Sequence, residues 1–98
     1  MNLDKNKIEA INQYFRESPV LRAYLFGSCV RGEADSKSDI DILVELDYSR
    51  KIGLRFIQMK LDLEQLLNSK VNLVSSNGLS SYIKPLVDRE KLLIYEKQ

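Results

Sequence analysis

The run Asp39-Ile40-Asp41-Ile42-Leu43-Val44-Glu45-Leu46 constrains this chain more than any other segment. Branched and apolar residues dominate it, which reads as a strand over Ile40 to Leu46. The two-residue period of a strand then sorts its side chains into two faces. Ile40, Ile42, Val44 and Leu46 share one face, which must be buried in a core. Asp39, Asp41, Leu43 and Glu45 share the other, which begins with two carboxylates side by side.

On either side of this strand the pattern alternates helix and strand, which favours an α/β arrangement. Between Asp4 and Glu17, Ile8, Ile11 and Phe15 recur at spacings of three and four, as on one helical face. Asn6 with Glu9 is the expected capping signal, and Ser18-Pro19 stops the helix. Val20 to Phe26 reads as a strand that runs into Gly27-Ser28. A short helix is expected from Ser28 to near Gly32, and a polar loop from Glu33 to Ser38. The longest helix is expected between Ile52 and Asn68, with Ile52, Phe56, Met59, Leu63 and Leu66 as its core stripe. Leu54, Ile57 and Leu61 form a second stripe, expected to be buried on another side, with a partner-facing patch as the alternative. Val71 to Val74 is a short strand, and Asn77-Gly78 marks a turn. Ser81 to Glu90 is a helix with Pro85 in its first turn or kinking it. Leu92 to Tyr95 is a last strand at the sheet edge. No linker or repeat divides the 98 residues, so one domain over residues 1–98 is expected.

Lysine and arginine number 15 against 14 acids, a net charge of +1. Proteins that track DNA or RNA usually carry a clear basic excess, so a long nucleic acid is a poor default substrate. Small charged ligands and protein partners stay open, as does an oligomer. The chain has no histidine, which removes histidine acid–base catalysis and histidine-ligated zinc. Its one cysteine, Cys29, excludes an internal disulfide and is expected to be a small buried thiol in a reducing compartment. The opening MNLDKNKIEA has no apolar signal core and no stretch approaches a membrane span, so the cytoplasm is the default expectation.

The chemistry is concentrated in Phe26-Gly27-Ser28-Cys29-Val30-Arg31-Gly32 and in Ser38-Asp39-Ile40-Asp41. A strand that ends in Gly-Ser and opens a helix aims backbone N–H groups and a hydroxyl at one spot, which suits phosphate. Gly27 permits close approach, and Arg31, one turn after Ser28, can add a charge-assisted contact. Asp39 and Asp41 repel one another unless a cation lies between them. Magnesium takes such oxygen ligands and bridges to substrate phosphates. Gly-Ser or Asp-x-Asp alone is common in turns and on solvated strands; the two in this order and spacing are far more specific.

Gly27-Ser28, ten intervening residues, and then Asp39-x-Asp41 resemble the nucleotidyltransferase signature of the DNA polymerase β superfamily. The flanks Arg31-Gly32 and Ser38-Asp39-Ile40-Asp41-Ile42-Leu43-Val44 are similar to its minimal nucleotidyltransferases (MNT), and the likeness extends over nearly the whole chain. The resemblance implies a small mixed β-sheet with helices packed against it, an α/β (α+β) fold. It implies transfer of a nucleotidyl group, AMP from ATP, to an acceptor hydroxyl, with two Mg2+ ions accompanying the nucleotide. By position, Gly27, Ser28, Arg31 and Ser38 would hold the nucleotide, and Asp39 and Asp41 the metals. It further implies an antitoxin role beside an HEPN-family toxin, whose tyrosine would be the acceptor. Family enzymes carry a third carboxylate on the strand after the long helix; here the matching position is Asn72. An asparagine offers a carbonyl oxygen but no charge and takes no proton. Two expectations follow: a working transferase that tolerates Asn72, or a catalytically impaired nucleotide-binding module that neutralises its partner by contact.

Overall fold

The computed structural model describes residues 4–32 and 39–97, and the expected loop over Glu33 to Ser38 lies outside the described residues. Helix α1 (Lys5–Arg16) begins at Asp4, whose side chain accepts from the Lys7 N–H at 3.0 Å. The cap is therefore Asp4 and not the expected Asn6. Asp4 is extended (φ −75°, ψ 161°), so its carboxylate can turn back to a free amide of the first turn, whereas Asn6 already lies inside the helix. Ile11 and Phe15 are fully buried and Ile8 packs against them, as the spacing predicts.

Strand β1 (Val20–Phe26) leads into the one-turn helix α2 (Ser28–Arg31), and β2 (Ile40–Leu46) follows. Helix α3 (Arg55–Leu67), β3 (Val71–Ser75), a 3-10 turn (Ser76–Gly78), α4 (Lys84–Glu90) and β4 (Leu92–Glu96) complete the order. The strands lie in the order β3-β2-β1-β4. β1 pairs antiparallel with β2 and with β4, while β2 pairs parallel with β3, so the sheet is mixed. As expected, β4 is an edge strand.

β2 sits inside the sheet and is the most buried strand. Ile42 and Val44 are inaccessible, and Ile40 and Leu46 nearly so. Their face meets α1 and α3 in a core that also holds Phe15, Leu25, Met59, Leu63 and Val71. The opposite face carries Asp41, Leu43 and Glu45, with Leu43 buried between the two acids.

Helix α3 corrects three expectations. Its core stripe ends on Leu67, which is buried, and not on Leu66, which is 48% exposed. At 3.6 residues per turn, Leu67 stands about 40° from the Leu63 direction and Leu66 about 60°, so the stripe continues through Leu67. The second stripe is not buried at all: Leu54, Ile57 and Leu61 are 82%, 56% and 50% exposed. The helix also starts three residues later than Ile52, after Gly53 in the left-handed region (φ 43°). Helix α4 likewise begins at Lys84 and not at Ser81, with Pro85 in the first turn, where its missing N–H breaks no helical bond. No described helix is long and apolar enough to cross a membrane.

Candidate functional site

The register of β1, β2 and β3 brings the acidic pair to its neighbours. Asp41 lies opposite Phe26 on β1 and opposite Asn72 on β3. Asp39 immediately precedes β2, and the Ile40 N–H donates to the Lys70 carbonyl at 2.9 Å, tying this end of β2 to the start of β3. Both acids are half-buried. Between them stands Asn72, whose Nδ2 donates to Asp41 Oδ1 at 2.8 Å and to Asp39 Oδ2 at 3.2 Å. The amide thus places partial positive charge where two carboxylates converge, and eases a repulsion that β2 forces on them.

Gly27 is required where β1 meets α2. Its φ of 76° is strained for any residue with a side chain, and a Cβ there would collide with Asp41 Oδ2. The backbone of the Gly-Ser turn is therefore pressed against one carboxylate of the pair. Ser28, half-buried, opens α2, and Gly32 closes it in the left-handed conformation, its N–H donating to the Ser28 carbonyl. The structure brings Gly27, Asp39, Asp41 and Asn72 together, with Ser28 next to Gly27 in the chain. Ser38 and the side chain of Cys29 lie outside what the structure describes.

Arg31 and the Gly27 amide have a neighbour that sequence reasoning missed. Glu90, the last residue of α4, accepts from the Gly27 N–H at 2.8 Å through Oε1. The same carboxylate receives Arg31 Nη1 on both oxygens, at 3.1 and 2.9 Å. These partners are 63 and 59 residues away in sequence, so no local pattern announces them. The available signal was an acid in the last turn of a helix, where the dipole disfavours it.

Glu90, Gly27, Arg31 and Asp41 line a cleft of about 460 Å³ with Phe26, Ile83, Leu86, Val87 and Arg89. Such a volume falls within the usual range for small-ligand sites, and a mostly apolar wall with a few convergent polar groups is their common make-up. A groove of about 520 Å³ between α1 and α3 is lined by Tyr14, Arg55, Gln58 and Asp62. There the Tyr14 hydroxyl donates to Asp62 at 2.6 Å, and Glu17 also lines the groove.

The far end of the same sheet face is a closed ion-pair network. Glu45 accepts from Arg22 at 2.9 Å and from the Tyr24 hydroxyl at 2.7 Å, and Arg22 also reaches Glu96 at 2.8 Å. The Tyr24 hydrogen bond, with Arg22, holds the Glu45 carboxyl below its ordinary range. Glu45 is thus engaged elsewhere and does not serve the Asp39–Asp41 pair.

The two aspartates could hold a hard divalent cation. They offer oxygen donors from one strand end, and the Asn72 amide already supplies positive charge to both. Among the described residues no group of three or more acids, cysteines or histidines is arranged to hold a metal, so Glu90 does not complete a third acidic ligand.

The family model for polymerase beta nucleotidyltransferases matches residues 9–98. The protein adenylyltransferase MntA of Thermococcus cleftensis is 43% identical over 70 residues, 71% of this chain and 70% of the relative. A solved structure provisionally assigned as a minimal nucleotidyltransferase is 35% identical, with a TM-score of 0.77, over 90% of this chain and 89% of the other. A toxin–antitoxin complex with AMP-PNP contains a chain 26% identical, TM-score 0.75, matched over 98% of this chain and 76% of its own length. With a family model matched over most of its length, a mixed four-stranded sheet and the Gly-Ser turn pressed on its acidic pair, this chain belongs to the polymerase β nucleotidyltransferase family.

Proposed function

We propose that this domain transfers AMP from ATP, with Mg2+, to a hydroxyl of an HEPN-type toxin and so acts as its antitoxin in the cytoplasm. The observation that carries this reading is the contact of the Gly27 turn with Asp41 inside one cleft, next to Asp39 and Asn72. The groups that would bind phosphate and those that would hold metal are then neighbours, which phosphoryl transfer requires. The adenylyltransferase name of the Thermococcus relative and the AMP-PNP in the solved toxin–antitoxin complex support AMP as the group moved and a protein as the acceptor.

In this reading Ser28 and the Gly27 backbone bind the triphosphate, and Arg31 neutralises its charge; Ser38, outside the described residues, is assigned to the same ligand. Asp39 and Asp41 would hold Mg2+, which supplies neutralisation of the phosphate charge that develops during transfer. Asn72 orients the two carboxylates. The acceptor oxygen bonds to the α-phosphorus, the bond to pyrophosphate breaks, and the hydroxyl proton passes to solvent. No acid among the described residues lies at Asn72's position to take that proton. The partner would meet the exposed stripe of Leu54, Ile57 and Leu61, which is large for a chain this small to leave in water.

Incubation with labelled ATP, Mg2+ and the partner protein tests the reading. The wild type should label its partner, and Asp39→Ala should lower the rate about 10³-fold. Wild-type labelling no higher than that of Asp39→Ala would reject transfer. A second reading is favoured by Asn72 itself: the chain binds nucleotide and neutralises its partner by contact, with little turnover. In that case charge substitutions at Leu54 and Ile57 abolish neutralisation while Asp39→Ala leaves it intact.

A further inference from the structure

Among the described residues that line the cleft, Glu90 is the acid that the proposed reaction does not use. Its position is unfavourable for its own helix, because a carboxylate at a helix C-terminus meets the negative end of the dipole. It is nonetheless only 25% exposed, and its two oxygens take three donor contacts from the Gly27 amide and Arg31. A residue that works against its local element while satisfying a site is the pattern expected of function.

The donors it engages are those that the reading above gives to phosphate. A backbone N–H beside Gly27 and a guanidinium make a charge-assisted pair that suits any planar or tetrahedral oxyanion. A carboxylate and a phosphate compete for the Gly27 N–H, which has one hydrogen to give, and for Arg31 Nη1, both of which Glu90 holds. Glu90 also fails to form a metal group with Asp39 and Asp41, which removes the alternative of a third acidic ligand.

We propose that Glu90 is an internal stand-in for phosphate: it occupies the Gly27 amide and Arg31 until a nucleoside triphosphate exchanges with it. This rests on the assignment of Gly27 and Arg31 as phosphate-binding groups. Nucleotide binding is then an anion exchange, with the end of α4 released from α2 as the triphosphate enters. The exchange lowers affinity for every nucleotide and selects ligands with enough phosphate charge to displace a carboxylate.

The test is calorimetric titration of the full chain with Mg-ATP, and separately with Mg-pyrophosphate, for wild type, Glu90→Gln and Glu90→Asp. Glutamine keeps the shape and an acceptor for the Gly27 N–H but removes the charge; aspartate withdraws the carboxylate by one methylene. Both variants should bind each ligand about three- to tenfold more tightly than wild type, the range set by losing one partly exposed ion pair and its hydrogen bond. The gain should vanish when Arg31→Ala is added. A clasp that merely holds α4 in place predicts the reverse: unchanged or weaker binding with a lower melting temperature. Wild-type binding with no tightening in either variant would overturn the exchange alone. No binding of either ligand by any of the three proteins would overturn the phosphate-site assignment, and the exchange with it.

Discussion

Asp41 and Glu45 stand four residues apart on the same face of the same strand, and their surroundings differ in kind. Glu45 is met by a cation, Arg22, and by the Tyr24 hydroxyl, whose own pKa is pushed up to about 12, chiefly by burial. Lys91 lies 4.6 Å from the centre of the Tyr24 ring and adds more positive charge. Asp41 is met by a neutral amide from Asn72 and by a glycine with no side chain. One carboxylate has its counter-charge built in by the fold. The other, with Asp39 beside it, has only a partial one among the described residues, and so retains an attraction for a cation from solution. Position on a strand face does not set the electrostatic surroundings of a carboxylate; what the neighbouring strands bring opposite it does.

Substitutions at the two ends should therefore have unlike consequences. The largest is expected at Gly27→Ala, whose methyl would displace the Asp41 carboxylate from a backbone held at positive φ. Transfer of label should fall about 10²-fold or more, and chemical denaturation should show a loss of about 1–3 kcal/mol. A fully active, fully stable alanine variant would mean that the turn does not position the pair.

Asn72→Asp comes next. It replaces the amide that both carboxylates accept from with a third negative charge. Without metal, thermal denaturation should show a loss of about 1 kcal/mol from like-charge repulsion, and added Mg2+ should restore it. If the natural chain lacks only a proton acceptor, label transfer should rise about tenfold or more. A variant insensitive to Mg2+ in both measurements would place no cation at this end.

The smallest effect is expected at the closed end. The folded pKa of Glu45 is lowered, so its ionised form favours the folded state at pH above the ordinary value of 4.5. That contribution fades as the pH falls below 4.5 and through the lower folded value. Glu45→Gln should cost only about 0.5 kcal/mol near neutrality, because the pair with Arg22 is partly exposed. Urea titrations should find the difference from wild type shrinking toward zero as the solution becomes strongly acidic. Label transfer should be unchanged throughout, and a large loss of activity would break the distinction between the two ends.

Much of this was legible in the residues. The spans of β1 and β2, the face shared by Asp39 and Asp41, and the turn at Gly27-Ser28 follow from period, branching and glycine chemistry, all of which act locally. The misplaced features have causes that a short window does not contain. Leu66 and Leu67 are both apolar, and only the direction of the sheet chooses between them. The Leu54 stripe looks the same in sequence whether a second layer covers it or not. The link from Glu90 to Arg31 depends on α4 returning to the end of β1 after 59 residues, and nothing near either residue encodes that return.

The pairing of β4 with β1 carries a further consequence for the order of assembly. Arg22 lies opposite Glu96, a separation of 74 residues, so closing this edge demands the largest loop in the sheet. Only Lys91 separates the end of α4 from β4, which means that the edge strand sets where Glu90 stands. Contacts of such high order form late during folding and, at a sheet edge, open early in the native state. In hydrogen exchange the amides of β4 should lose protection before those of β2. Each such opening would loosen the hold of Glu90 on Arg31, so the rate at which the chemical centre admits an anion would be set by the breathing of a strand that contributes no residue to it.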